Sequence, residues 1–217
     1  QAEENCSPVL SLFKKKSPQK AQRRARSGPA DKRCYAIGDV HGCLAELQSL
    51  LARIEADHRS KPAKQAAVVF LGDLVDRGPD TKGVIDLLRS HPLPFADMYL
   101  LMGNHEEMML KALRKKPETI ERWFHYGGDM TALSYGVGPG EMTGRDAEFQ
   151  QQRLRSAIPQ SHLDFLSKGY ESLRFGDYLL VHAGVRPGVE LDNQSRRDLM
   201  WIREGFIESD AEHGAMT

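Results

Sequence analysis

The chain has 217 residues, 40% hydrophobic and 28% charged, with a formal net charge of zero, which suits one soluble globular domain of good size. No apolar run approaches the roughly 18 residues a bilayer-spanning helix needs, and Val9–Phe13 is too short for a signal-peptide core. Three cysteines (Cys6, Cys34, Cys43) without a CxxC pair argue against a disulfide framework or structural zinc, making a reducing cytoplasmic compartment the simplest setting.

Charge is unevenly spread. Residues 1–33 carry nine Lys/Arg against three Asp/Glu, leaving 21 against 27 in the remainder. The composition predicts a disordered basic tail over 1–32 ahead of a domain over 33–217. A solvated tail is the simpler reading than an electrostatic tether, and nothing in the body shows a nucleic-acid recognition module.

Cys34–Ile37 reads as a first strand running into Gly38-Asp39-Val40-His41-Gly42. On an extended segment Asp39 and His41 point to one side, a carboxylate and an imidazole suited to a divalent cation. Leu44, Leu47, Leu50, Leu51 and Ile54 recur at helical spacing and predict an amphipathic helix over 43–57. The continuous apolar run Ala66–Leu71 predicts a buried strand that delivers Gly72-Asp73-Leu74-Val75-Asp76-Arg77-Gly78 to its carboxyl end, where open α/β sheets bind ligands. Two acids beside an arginine suit a cation and a phosphate together.

Asp80 caps a predicted helix over 81–90. Gly78 to Gly83 has the outer spacing of a P-loop, but Val84-Ile85 stands where Lys-Ser/Thr is required. A third strand, Met98–Met102, ends in Gly103-Asn104-His105-Glu106; Met109 in place of a second histidine excludes HExxH. Residues 117–160 read as a helical insertion with a mobile glycine loop at 136–140, flanking a substrate cleft. A short helix from Ser161 precedes strands at 170–175 and 178–181, joined by a Gly176-Asp177 turn. The second strand delivers His182, and Met200–Glu204 sets Arg203 in an apolar context.

Four strand ends thus deliver Asp39/His41, Asp73/Asp76/Arg77, Asn104/His105 and His182. GDVHG, GDLVDRG, GNHE and HAG, in that order, resemble the phosphoprotein phosphatase (PPP) family of dinuclear metallophosphoesterases over about residues 33–208, and its bacterial Ser/Thr protein phosphatases in particular. The resemblance implies an α/β fold: a calcineurin-like metallophosphatase sandwich of mixed β-sheets flanked by helices. It also implies two divalent metal ions, with manganese favoured over iron or zinc. Asp39 and His41 would hold the first metal, Asp73 would bridge, and Asn104 and His182 would hold the second. Arg77 and Arg203 would clamp phosphate oxygens, and His105, oriented by Asp76, would protonate the leaving alkoxide. The expected reaction is removal of phosphate from phosphoserine or phosphothreonine in a protein or peptide by a metal-bridging hydroxide.

The family pattern includes a further histidine in a Gly-His-Thr-like segment, which this sequence does not show before Thr217. His213 does not follow an apolar strand as that histidine should. The expectation is therefore a domain lacking its C-terminal strand, with a weak second metal site. Two other readings are a diadenosine polyphosphate hydrolase, against which Asp76 stands because such enzymes carry Ala there, and a non-catalytic phosphate-binding remnant.

Overall fold

The computed structural model describes residues 27–209 and Ala215; most of the basic segment and His213 lie outside the described residues. Strands β1 (Lys32–Ile37), β2 (Gln65–Phe70) and β3 (Asp97–Leu100) form a parallel sheet in the order β1-β2-β3. Helix α1 (Leu44–Ser60) connects the first pair and α2 (Thr81–Arg89) the second. Parallel neighbours require such crossovers, so the three loops leaving β1, β2 and β3 emerge on one edge of the sheet. Val68 and Val69 in the central strand are fully buried, which explains why β2 reads as an unbroken apolar run rather than an alternating one.

Local chemistry sets the element boundaries. The Asp80 carboxylate accepts from the Gly83 N–H at 2.7 Å and caps α2. Helix α3 (Asn104–Arg114) starts directly after Gly103 and turns Met109, Ala112 and Leu113 into the core. The predicted strands and helices in this half are all present, with ends shifted by at most three residues.

Residues 117–157 form the insertion: a 3₁₀ turn, then α4 (Ile120–Trp123), a π-type turn at Phe124–Gly128, α5 (Asp129–Ser134), α6 (Pro139–Met142) and α7 (Ala147–Ala157). Its glycine stretch lies at the surface apart from Val137, which is buried and donates its N–H to Ala132 O at 3.0 Å. Helix α8 (Gln160–Leu166) returns the chain to the sheet. The antiparallel pair β4 (Leu173–Phe175) and β5 (Tyr178–Leu180) is a separate sheet. Tyr170, expected inside a strand, makes a single parallel bridge to Leu101 beside β3. Parallel and antiparallel pairing are therefore divided between two sheets. Helix α9 (Arg196–Trp201), capped by Ser195, follows the His182 loop and has no counterpart in the sequence reading.

One large cluster joins α1, the parallel sheet, α2, α3 and the insertion, and a smaller one holds Leu179, Val185 and Leu199. Among the described residues no helix is long and apolar enough to cross a membrane.

Candidate metal centre and its surroundings

The first two loops are laced together by their backbones. The Asp73 carbonyl accepts from the N–H groups of Val40 (3.0 Å) and His41 (2.9 Å), and Leu74 O accepts from Gly42 N (2.9 Å). His41 lies at φ +45°, in the left-handed region, so it is not on an extended segment. Asp39 and His41 do converge, with His41 Nε2 3.8 Å from Asp39 Oδ2, but a backbone reversal rather than strand alternation achieves it. Asp73 (φ +53°), Asp76 (φ +73°) and Arg77 (φ +66°) share that left-handed conformation. Left-handed residues other than glycine cost on the order of 1–2 kcal/mol each and collect where the surroundings over-determine them.

Glu106 is what over-determines this loop. Fully buried, its Oε2 accepts from Asp73 N (2.8 Å) and Gly103 N (3.0 Å), and its Oε1 from Leu74 N (2.7 Å) and Val75 N (3.3 Å). Burial and the charge of Asp73 push its carboxyl up to about 7, against the N–H groups that favour the ionised form. Close approach of the loops also demands glycine at 72: with φ +104°, a Cβ there would lie 2.6 Å from Gly103 N.

Asp73 is the hub. His182 Nε2 lies 3.4 Å from its Oδ1, and His41 Nε2 lies 3.7 Å from its Oδ2. Two sets of metal-type donors share it, His41–Asp73–His105 and Asp39–Asp73–His182, each with ligand atoms within 4.8 Å of one another. This grouping joins Asp39 to His182 and His105 to His41, whereas the resemblance paired Asp39 with His41. His41 Nδ1 hydrogen-bonds Val75 O and His182 Nδ1 hydrogen-bonds Leu71 O, both at 2.8 Å. A carbonyl only accepts, so both Nδ1 atoms carry a proton, which leaves Nε2, on the Asp73 side, as the nitrogen a metal would take. Asn104, the first residue of α3, has its Oδ1 buried without a hydrogen-bond partner. An orphaned amide oxygen costs free energy unless something outside the protein satisfies it. Carboxylate, imidazole and amide donors without thiolate fit a divalent cation such as manganese, iron or zinc.

Beside this hub lies a buried pair. His105 Nδ1 is 2.8 Å from Asp76 Oδ2. Asp76 also accepts from the Trp123 indole N–H at 3.0 Å and from the Thr131 hydroxyl at 2.8 Å. Burial pushes the Asp76 carboxyl up, and these donors oppose it. Burial would lower His105, but the hydrogen bond to Asp76 and the charges of Asp73 and Asp76 hold it above its usual value. Arg77 donates to His41 Nε2 and His105 Nε2, both at 3.0 Å. The insertion sets this corner: the Arg77 N–H donates to Gly127 O at 3.0 Å and Asp76 N to Thr131 Oγ1 at 2.9 Å. Gly127 sits at φ +99°, and a Cβ there would lie 2.8 Å from Arg77 Cγ.

Eight of the nine residues singled out from sequence come together around Asp73 and the Asp76–His105 pair. Arg203 stands apart, exposed on the wall of a neighbouring cleft of about 850 Å³. Glu106, Trp123 and Thr131 went unrecognised. Glu106 was visible as the acid of GNHE, but its work is on backbone N–H groups 31 to 33 residues earlier. Trp123 and Thr131 carried no local signal.

Residues 32–212 match the calcineurin-like phosphoesterase family, and the chain belongs to it. It is 37% identical over 95 residues to serine/threonine-protein phosphatase 1 of Salmonella typhimurium, a match covering 44% of this chain and 38% of that protein. It is 33% identical over 153 residues to the symmetrical bis(5'-nucleosyl)-tetraphosphatase of Methylococcus capsulatus, covering 70% of this chain and 43% of that protein. The matched stretches thus span less than half of these curated relatives. The crystal structure of a candidate diadenosine tetraphosphatase superimposes with a TM-score of 0.52 at 24% identity, over 78% of this chain and 58% of that one, and shows the shared fold. The calcineurin-like fold expected from the four strand-end motifs is the fold found.

Proposed function

We propose that the chain hydrolyses phosphate monoesters, with phosphoserine and phosphothreonine as its preferred substrates. The observation that carries this reading is the position of Asp73, which belongs to both donor sets at once. A carboxylate shared between two cation sites is what a dinuclear phosphoesterase requires. Asp39, His41, Asn104 and His182 would complete the two sites. Metals so bound would supply an activated water and a Lewis acid for the phosphoryl oxygens.

The protein's own residues do the rest. The Arg77 guanidinium reaches His41 and His105 Nε2, so an incoming phosphate would compete for N–H groups already aimed into the site. Releasing Arg77 leaves His105 Nε2 facing the leaving group, with its ring held by Asp76 through Nδ1. The Asp73 and Asp76 charges favour the protonated imidazole, the form that can donate to an alkoxide. Arg203 would clamp a phosphate oxygen from the cleft side.

Hydrolysis of para-nitrophenyl phosphate with manganese tests the reading, with Asp73→Asn and His105→Ala as controls. Turnover should require added metal and fall by about 10²-fold or more in each variant. Metal-independent turnover that survives Asp73→Asn would sink it. The tetraphosphatase relative favours a second reading, hydrolysis of dinucleoside polyphosphates. A higher kcat/KM on diadenosine tetraphosphate than on a phosphoserine peptide would move the assignment there.

A further inference from the structure

The cleft that holds Arg203 opens one helical turn along α3 from Asn104 and His105. Its walls are α3, Arg122 and Trp123 of the insertion, and the segment around α9. Its charge is lopsided. Arg186 is paired with Asp198, and Glu107, which accepts from the Trp201 indole N–H at 2.8 Å, has its charge offset by Arg196, 3.9 Å away outside the cleft. Lys111, Arg122, Arg197 and Arg203 are all exposed and form no ion pair among the described residues; Arg197 helps to lower the Asp198 carboxyl, but that acid is already paired with Arg186, and Glu204 is the one lining acid without a partner there. Arg122 lies 5.9 Å from the Tyr126 ring, a contact that leaves its charge uncompensated. Unpaired cations converging on one concave surface repel one another and are relieved by an anion.

We propose that this cleft is an anion subsite that binds a second negatively charged group carried by the substrate beside the scissile phosphate. The inference rests on the phosphoesterase reading for its location and goes beyond it in naming three cations, Lys111, Arg122 and Arg197, that the proposed chemistry does not use. Lys111 is seven residues along α3 from Asn104, about 10 Å at 1.5 Å per residue. That spacing places the second charge about three residues of extended peptide, or about three phosphates, away from the reacting one. Either acidic side chains flanking a phosphoserine or the further phosphates of a polyphosphate chain supply this chemistry.

Both tryptophans of the chain, Trp123 and Trp201, line the cleft, so intrinsic fluorescence reports on it without any need for turnover. Titrating the metal-free chain with inorganic tripolyphosphate should change the emission, with an affinity that weakens as salt rises. Lys111→Ala with Arg197→Ala should weaken that affinity about tenfold. In the presence of manganese, the same double variant should lose about tenfold in kcat/KM on a phosphoserine peptide flanked by Asp and Glu. Its kcat/KM on para-nitrophenyl phosphate should be unchanged. Parallel assays with diadenosine tetraphosphate distinguish the polyphosphate source from the acidic peptide.

No binding of tripolyphosphate by the metal-free wild type, checked by equilibrium dialysis, overturns the subsite. So does an equal loss on the singly and multiply charged substrates. Binding that depends on Lys111 and Arg197 in a chain without phosphatase activity would uphold the subsite and count against the catalytic reading alone.

Discussion

Glu106 has no part in the proposed reaction, yet it holds the backbone on which that reaction depends. One carboxylate takes four N–H groups from two loops, at residues 73, 74, 75 and 103. Glu106→Gln keeps the shape but turns an amide NH₂ toward donors. It should cost roughly 2–3 kcal/mol, the worth of hydrogen bonds to a charged acceptor, and lower Tm accordingly. Trp123 plays the same kind of part for Asp76. Trp123→Phe keeps an aromatic ring but removes one of the donors to a fully buried carboxylate and leaves a small cavity where the indole's second ring was, at a combined cost of about 1–3 kcal/mol. Thermal denaturation beside phosphate-ester kinetics checks both: each variant should lose stability, and Trp123→Phe should also lose kcat through a misheld His105.

The insertion behaves as a brace. Its short helices surround Asp76 and Arg77 and meet α2 and α3. Gly127→Ala forces a side chain into the left-handed region against Arg77, costing on the order of 1–2 kcal/mol. Its kinetic signature should be a raised KM, because the displaced group is the proposed phosphate clamp. A second brace joins α8 to α2 and the end of α5: buried His162 has Nδ1 2.8 Å from the Tyr135 hydroxyl and Nε2 3.0 Å from Asp86. Burial holds His162 below its ordinary value of 6.5, with Asp86 opposing and Arg89 and Lys82 adding to the lowering. The unfolded chain takes up a proton below 6.5 that the folded chain resists. Stability from this group is therefore complete above that pH and declines as the pH falls below it. Melting curves at pH 7.5 and 5.5 should show wild type losing more than His162→Gln. Equal losses would remove His162 from the account.

At the scale of the molecule, the donors around Asp73 come from loops after β1, β2 and β5 and from the first turn of α3. Like charges on Asp39 and Asp73 and an orphaned Asn104 oxygen are assembled there at the expense of the apo fold. A divalent cation that binds only this assembled state stabilises it by mass action, about 2.7 kcal/mol at a hundred times Kd. Manganese should raise Tm progressively in wild type and leave Asp73→Asn nearly unmoved. A Tm indifferent to manganese, zinc and iron alike would remove the cation from this centre.

Much of this was legible in the chain itself. Buried parallel strands must be continuous apolar runs, and glycine is required after β2 and β3, where the two loops approach closely. Gly72 and Gly103, each followed by ligand-type side chains, therefore announced two strand ends and five of the candidate residues, while Asp39, His41 and His182 were marked by the apolar runs that precede them. These are local signals, carried by neighbours in sequence. What only the tertiary structure decided were relations across long separations. They include the left-handed turn that brings His41 to Asp39, the grip of Glu106 on residues 73–75, and the indole and hydroxyl that reach Asp76 from 47 and 55 residues downstream. Arg203 likewise had its residue type and motif in the sequence, but its place in a basic cleft follows from how α9 packs beside α3. A hydrogen bond between distant loops leaves no periodicity behind, because either partner alone is an ordinary tryptophan, threonine or glutamate until the fold brings them together.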